Sequence, residues 1–430
     1  MNSMSTFKIA VTAVFAVSIV FGVAMFALSK GSDTELRANL VVWGTVPADT
    51  FKAAYEASSI KSNKNVTVKY VEKNVSTFDT EFIEALADGV GPDMVVLRED
   101  FLHKHRNRFF TIPYASFTER AFKDRFIEQG EMFLTPEGVS AFPFIVDPLV
   151  LYWNRDMFSN NAIVQPPLYW DELNGLVTKL TKKDAGGSIL QSTIALGEYR
   201  NITNAKEIIS MLLFQAGTPI TGRSSSGLIS VLNEGFGYPV MPSQSAINFY
   251  TQFSNPTSPA YSWNRSLPTS LNMFLAGNSA MYLGFASEIQ GIQQRNSNLN
   301  FDVTLVPQIR NAPKKVVFGH MYALAVVKQS KQITATFTLL AALTEPASMK
   351  ALEPVTNLPP VRRDMLAQKP TDAFREVFYT SAVISKSWMD PDPTLTNISF
   401  RDLIESVTSG RARLTEALGR LSEELNIQLK

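Results

Sequence analysis

Cysteine is absent from this 430-residue chain. Its absence excludes disulfides, Cys-ligated zinc, iron–sulfur clusters, thiol nucleophiles and a lipid-modified cysteine near the N-terminus. Histidine is nearly absent too, with three residues. No H-E-x-x-H, G-x-S-x-G, G-x-G-x-x-G or G-x-x-x-x-G-K-[ST] pattern occurs, so the zinc-protease, serine-hydrolase and phosphate-cradling readings have no support. Excess charge of either sign is also missing: 40 Lys and Arg against 39 Asp and Glu leave a formal net charge of +1. A nucleic-acid binder would show a basic stripe, and no cluster of Lys and Arg interleaved with aromatics occurs. What the chain has is apolar content, 45% against 18% charged. That is enough to bury a large core, and the length suits two domains or one two-lobed unit. Nothing in this composition calls for a cofactor or a metal.

The first local feature is "IAVTAVFAVSIVFGVAMFAL", Ile9 to Leu28, 20 residues without a charge. A helix of that length crosses a hydrocarbon core of about 30 Å, whereas the apolar part of a cleaved signal runs to roughly 7–15 residues. The segment is therefore expected to be an uncleaved transmembrane anchor after a short cytoplasmic stretch at 1–8, with 29–39 as a polar spacer. Lys8 precedes it and Lys30 and Arg37 follow, so the charge bias is slight. No second apolar run of this length follows. The remaining body is expected outside the cytoplasm, tethered by one helix.

Beyond the spacer, apolar runs alternate with amphipathic ones. "LVVWG" (40–44), "VTVKYV" (66–71) and "DMVVL" (93–97) read as strands, and 49–62 and 76–89 as helices. Asp49 stands as an N-cap, Ser76 and Asp79 stand at capping-box spacing, and Gly89 is a C-terminal cap. The alternation predicts β-α-β-α-β with right-handed crossovers and a parallel sheet. Ligands bind outside the carboxyl ends of such strands. Candidate binding groups are therefore Trp43 and Thr45 after the first strand, and Glu99 and Asp100 after the third. Each has a competing reading. Trp43 serves equally as core, and the two acids equally as helix-starting residues.

A second unit begins near residue 140 with "AFPFIVDPLVLYWNRDMF" (141–158), an almost wholly apolar strand that carries Asp147. A helix at 170–184, a strand at 192–197, a helix at 203–217 and strands at 279–285 and 301–307 follow. Next come one long strand or a strand pair at 316–328 and an apolar helix at 333–344; the part from 371 on is helical. Tyr152 and Trp153 read as core, His103 and His105 as surface, and "DPDP" (390–393) lacks the spacing of a calcium loop.

The ordered set "GPDMVVLREDFL", "AFPFIVDPLVLYWNRDMF", "PPLYWDELNGLVTKLTKKD", "FLAGNSAMYLGFASEI", "VTLVPQ", "GHMYALAVVKQSK" and "LPPVRRDM" covers the chain from about 40 to 428. It resembles bacterial extracellular solute-binding proteins of family 1, the sugar-type binding components of ABC importers. The resemblance implies a type II periplasmic-binding-protein fold, two α/β lobes joined by a hinge with the solute gripped between them. Lobe one would comprise 40–135 plus 309–345 and lobe two 140–305 plus 346–430, with crossings near 133–140 and 307–310. Asp147 falls where relatives place an acid that accepts sugar hydroxyls, and Tyr322 where they place a cleft aromatic. Ser287, with Glu288 beside it, falls where many relatives carry a stacking Trp. Tyr199 and Asn201, in the loop before the 203–217 helix, and Trp388, in a Pro-rich loop, complete the candidates.

The function the resemblance implies is non-enzymatic: capture of a small solute, a sugar or oligosaccharide, for delivery to separate permease subunits by a monomer. A membrane-anchored carbohydrate-active enzyme using paired carboxylates, and a same-fold binder of peptides or polyamines, are the competing expectations.

Overall fold

The computed structural model describes residues 36–225 and 227–429. The expected anchor at 9–28 lies outside the described residues. Among those described, no helix is long and apolar enough to cross a membrane.

The elements used below are, in chain order, β1 (Ala38–Gly44), α1 (Ala48–Glu56), β2 (Val66–Glu72), α2 (Phe78–Ala87), β3 (Met94–Arg98), α3 (Glu99–Lys104) and β4 (Phe142–Asn154). They continue with α4 (Leu173–Leu180), β5 (Ile189–Ile194), α5 (Ala205–Ala216), β6 (Ser279–Phe285), β7 (Phe301–Thr304) and β8 (Val317–Val326). The helices α6 (Ile333–Leu343), α7 (Ala373–Val383), α8 (Pro393–Thr408) and α9 (Leu414–Leu429) close the list.

The chain divides into two units: Met1–Val146 with Met321–Lys369, and Asp147–His320 with Pro370–Lys430. The first two crossings fall inside β4 and β8 rather than in loops near 133–140 and 307–310. Residues 346–369 belong with the first unit, not with the C-terminal helices. A continuous strand carries its hydrogen bonding past such a crossing, so no turn residues mark it in the sequence.

In the first unit the expected β-α-β-α-β forms. β1 pairs parallel with β2 over Ala38–Gly44 and with β3 over Val42–Gly44, and β8 adds antiparallel to β3 over Tyr322–Val326. β3 is buried throughout its apolar run, the signature of a strand covered on both faces. Phe51 of α1 stacks on Tyr70 of β2 at 4.4 Å, and Phe78 on Phe82 of α2 at 5.3 Å. Gly44 sits where any Cβ would run into the Tyr70 ring and Val96, so the carboxyl end of β1 can carry no side chain there. Two cap assignments change. Pro47, not Asp49, precedes α1, with Asp49 in its first turn. Ser76 and Asp79 form no box: the Asn74 side chain accepts from the Ser76 amide at 2.9 Å. Asp79 instead takes Lys104 Nζ at 2.6 Å and His105 Nε2 at 2.7 Å. His103 and His105, expected at the surface, are 3% and 1% exposed. His105 packs edge-on to Phe82 at 5.2 Å, so its ring is a core member with one polar handle.

In the second unit β6 pairs antiparallel with β4 and parallel with β5, while β7 pairs antiparallel with β4. Helices α4, α5, α8 and α9 pack apolar faces into one cluster with Leu149, Leu151, Met281 and Leu283 of the sheet. α5 is buried almost all round and ends at Gly217, whose φ of +101° suits a glycine and turns the chain out of the helix. Tyr152 is core, at 0% exposed, as expected.

Candidate functional site

In the first unit, sheet polarity brings Trp43, Thr45, Glu99 and Asp100 to one edge. Gly44 is in register with Val96, the Thr45 amide donates to the Val96 carbonyl at 3.2 Å, and Glu99 directly follows β3. Tyr322 joins them from β8, in register with Arg98. This edge is richer in charge than a plain strand end. Arg98 grips Asp100 through Nε at 3.0 Å to each carboxylate oxygen, and Asp100 is 3% exposed. Glu99, 2% exposed, accepts the Met321 amide through Oε2 at 2.8 Å. Burial, and then the Asp100 carboxylate beside it, push the Glu99 carboxyl well above the usual range. The Trp43 ring is half-buried, and the Lys73 ammonium lies 3.7 Å from its centre. A cation therefore already sits on one face of the indole.

In the second unit, Asp147 is the first residue past the crossing in β4 and is 7% exposed. Its Oδ1 accepts the backbone amide of Ser287 at 3.0 Å. Burial raises its carboxyl to about 7 against the hydrogen bonds from Ser287 that pull it down. Ser287 itself is exposed in the helical turn after β6. Asp147 and Ser287, 140 residues apart, are thus brought together. Glu288 lies at the same turn but is consumed by structure. It accepts the Phe285 amide at 2.8 Å, Asn204 Nδ2 at 2.8 Å and Tyr282 Oη at 2.6 Å, and burial raises its carboxyl.

Two candidates become structural. Asn201 donates to the carbonyls of Asn264 and Leu267 at 2.9 and 3.0 Å and accepts Trp263 Nε1 at 3.1 Å. With both amide ends engaged it locks a loop and has little left for a solute. Trp388 is 6% exposed within the apolar cluster, 6.0 Å from Phe400, so it is core despite its Pro-rich surroundings. Tyr199 stands between the two roles. It is 7% exposed and donates to Asn397 Oδ1 at 2.5 Å, yet its ring lines a cavity.

That cavity, about 350 Å³, opens where α5 begins and is lined by Tyr199, Arg200, Asn204, Lys206, Glu207 and Arg401 among others. Its volume lies at the lower end of small-molecule sites, and its wall is mostly hydrogen-bonding groups. Beside it Lys206 Nζ meets Asp390 Oδ2 at 2.7 Å, and the Thr396 hydroxyl donates to the same carboxylate. Of the "DPDP" acids, then, Asp390 holds a buried lysine, and Asp392 caps α8 by accepting the Thr394 and Leu395 amides. Lys206 and Glu207 carried no signal in the sequence, since "AKEIIS" reads as an ordinary first helical turn. Among the described residues, no three His, Asp or Glu side chains group to hold a metal.

In the first unit, acids, an aromatic and an amide stand at the carboxyl ends of parallel strands, and in the second a polar cavity lies beside a helix start. The chain belongs to the bacterial extracellular solute-binding protein family, whose model matches residues 49–376. That family is one of binding proteins. Proteins named as binding proteins in Brucella abortus and Brucella suis are 24% identical over 174 residues, 39% of this chain. The match spans 40% of those relatives' length.

Solved structures share the fold along nearly the whole chain. A cyclo/maltodextrin-binding protein complexed with maltotetraose gives a TM-score of 0.72 at 16% identity, covering 93% of this chain and 99% of that one. A cyclic alpha-maltosyl-1,6-maltose binding protein from Arthrobacter globiformis gives 0.73 at 15% identity, covering 92% and 99%. The GacH receptor of Streptomyces glaucescens, solved unliganded and with acarbose, gives 0.68 at 16% identity, covering 92% and 99%. At these identities the likeness is one of fold.

Proposed function

We propose that the protein is an extracytoplasmic receptor, tethered by the apolar segment at 9–28, that captures a sugar or oligosaccharide and hands it to the permease of an ABC importer. The observation that carries the sugar reading is the chemistry of the side chains within β1, β4 and β8 and just past β1, β3 and β6. Asp147 with the Ser287 turn in one unit, and Glu99 and Asp100 with Trp43 and Tyr322 in the other, combine carboxylate acceptors with aromatic faces. A carboxylate holds adjacent hydroxyls, and an aromatic face suits the apolar side of a pyranose. Thr45, Tyr199 and Ser287 supply further hydroxyl groups. The fold likeness to proteins named for maltodextrin and cyclic maltosyl-maltose supports the same solute class. The receptor acts as a monomer, and closure on the solute is a population shift stabilised by contacts that the solute makes in the closed form.

A thermal-shift screen of the full-length chain in detergent against mono- and oligosaccharides, amino acids and polyamines tests this. A bound sugar at 100 times Kd adds about 2.7 kcal/mol of stability. Stabilisation by another solute class and by no sugar would overturn the assignment.

A further inference from the structure

The loop between Leu232 and Ser243, in the second unit, carries apolar side chains that the fold leaves unused. Phe236, Tyr238 and Val240 are 46%, 51% and 60% exposed. Single exposed apolar residues are common and need no explanation. A cluster is different, and among the described residues Phe236 and Tyr238 are the only aromatic side chains that stand exposed. The stretch from Gly235 to Pro242, "GFGYPVMP", holds no charge. The loop is also built rather than slack. The Ser243 hydroxyl donates to the Leu232 carbonyl at 2.6 Å and ties its two ends together. The Tyr238 amide donates to the Gly235 carbonyl at 2.9 Å and closes a turn inside it. Within that turn Phe236 has a φ of +49°, a left-handed conformation that is costly for a bulky side chain. The Tyr238 ring lies against Gly217 at the end of α5, so close that a Cβ there would stand 3.3 Å from it. The turn thus holds two rings toward solvent at a backbone cost that burial in this unit does little to offset.

We propose that this loop is a membrane-contact element, in which Phe236, Tyr238 and Val240 dip into the headgroup region of the lipid bilayer. This rests on the reading of residues 9–28 as an uncleaved anchor. From Leu28 to Leu36, the first described residue, the chain spans at most about 28 Å. The start of the folded body is therefore held near the headgroups. A contact too weak to recruit a free protein becomes intramolecular in such a tethered one, and persists. The composition of the loop favours lipid over a protein partner. Tyrosine and other aromatic rings collect at the membrane–water boundary. An uncharged loop, moreover, has no ion pair with which to fix its orientation on a protein. A shallow contact of this kind orients the body on the membrane and leaves the holding to the anchor.

The chain has no cysteine, so a single dye can be placed at will. A Cβ at Gly235 or at Gly291 meets nothing within 4 Å. Gly235→Cys, beside Phe236, is therefore the loop reporter, and Gly291→Cys, in the same unit, is the control. Each full-length variant carries a nitrobenzoxadiazole dye and is placed in phosphatidylcholine nanodiscs with and without doxyl-labelled lipid. The loop dye is expected to be quenched about twofold by the labelled lipid and the control dye hardly at all. Phe236→Ser combined with Tyr238→Ser is expected to bring the loop dye to the control level at an unchanged melting temperature. Protein that co-elutes with nanodiscs while the loop dye is unquenched, or quenched no more than the control, overturns the inference and leaves the anchor standing. Failure to co-elute removes the anchor and the inference with it. A blue shift of the loop dye without lipid quenching assigns the loop to a protein surface, a second copy included, and overturns the lipid reading. Quenching that survives the double substitution shows that the rings do not drive the contact, and overturns it too.

Discussion

Replacing Asp147 by Asn tests whether the acid is as poorly solvated as the structure makes it. Its carboxyl is raised from 3.8 to about 7, with burial the largest cause, and it is 7% exposed, so solvent screening takes little away. A group that binds its proton more tightly in the folded protein stabilises the fold fully below its unfolded pKa. That stability is lost as pH rises through its folded pKa. The window here therefore runs from about pH 4 to about pH 7. At about 1.4 kcal/mol per pH unit, the loss across that window is on the order of 4 kcal/mol. Asn keeps an oxygen for the Ser287 amide and has no proton to release. Urea unfolding of both proteins at about pH 4, 6 and 8 spans the window and gives a double difference in which groups common to both cancel. The wild type is expected to lose roughly 2–4 kcal/mol more than Asp147→Asn between the extremes. Equal pH dependence in the two proteins would refute the burial argument and return Asp147 to a solvated turn. The same geometry says that Asp147→Ala strands the Ser287 amide and costs about 1–3 kcal/mol, besides any loss of solute affinity.

Two further substitutions separate structure from binding. Trp388→Ala opens the apolar cluster and is expected to cost about 3–5 kcal/mol in denaturant unfolding. Asn201→Ala leaves a buried indole N–H and two carbonyls unmatched and should cost about 2–3 kcal/mol. In both, solute affinity of the folded fraction is expected within about twofold, that is within ~0.4 kcal/mol; a tenfold loss at unchanged stability would restore either residue to the site. Gly44→Ala forces a Cβ into Tyr70 and Val96, and overpacking of this kind costs about 1–3 kcal/mol; an unchanged melting temperature would show that the β1 edge is looser than drawn.

Most element types, the parallel β-α-β-α-β start and the family resemblance were legible in the sequence alone. Hydrophobic period and strand-end position are local properties, legible in "DMVVL" or "VTVKYV" without a partner. It also pointed to Asp147, because a lone acid in a buried strand needs a reason. Only the tertiary structure decided which polar groups are still free to meet a solute. Asn201 and Trp388 sat in loops of binding-site composition, yet partners 62 and 12 residues away claim them. His105 looked like surface until Asp79 and Phe82 enclosed it. Lys206, in the first turn of α5, meets its counter-charge only in Asp390, 184 residues on. Whether a charge is spent or available depends on what lies within a few ångströms, and chain distance says almost nothing about that.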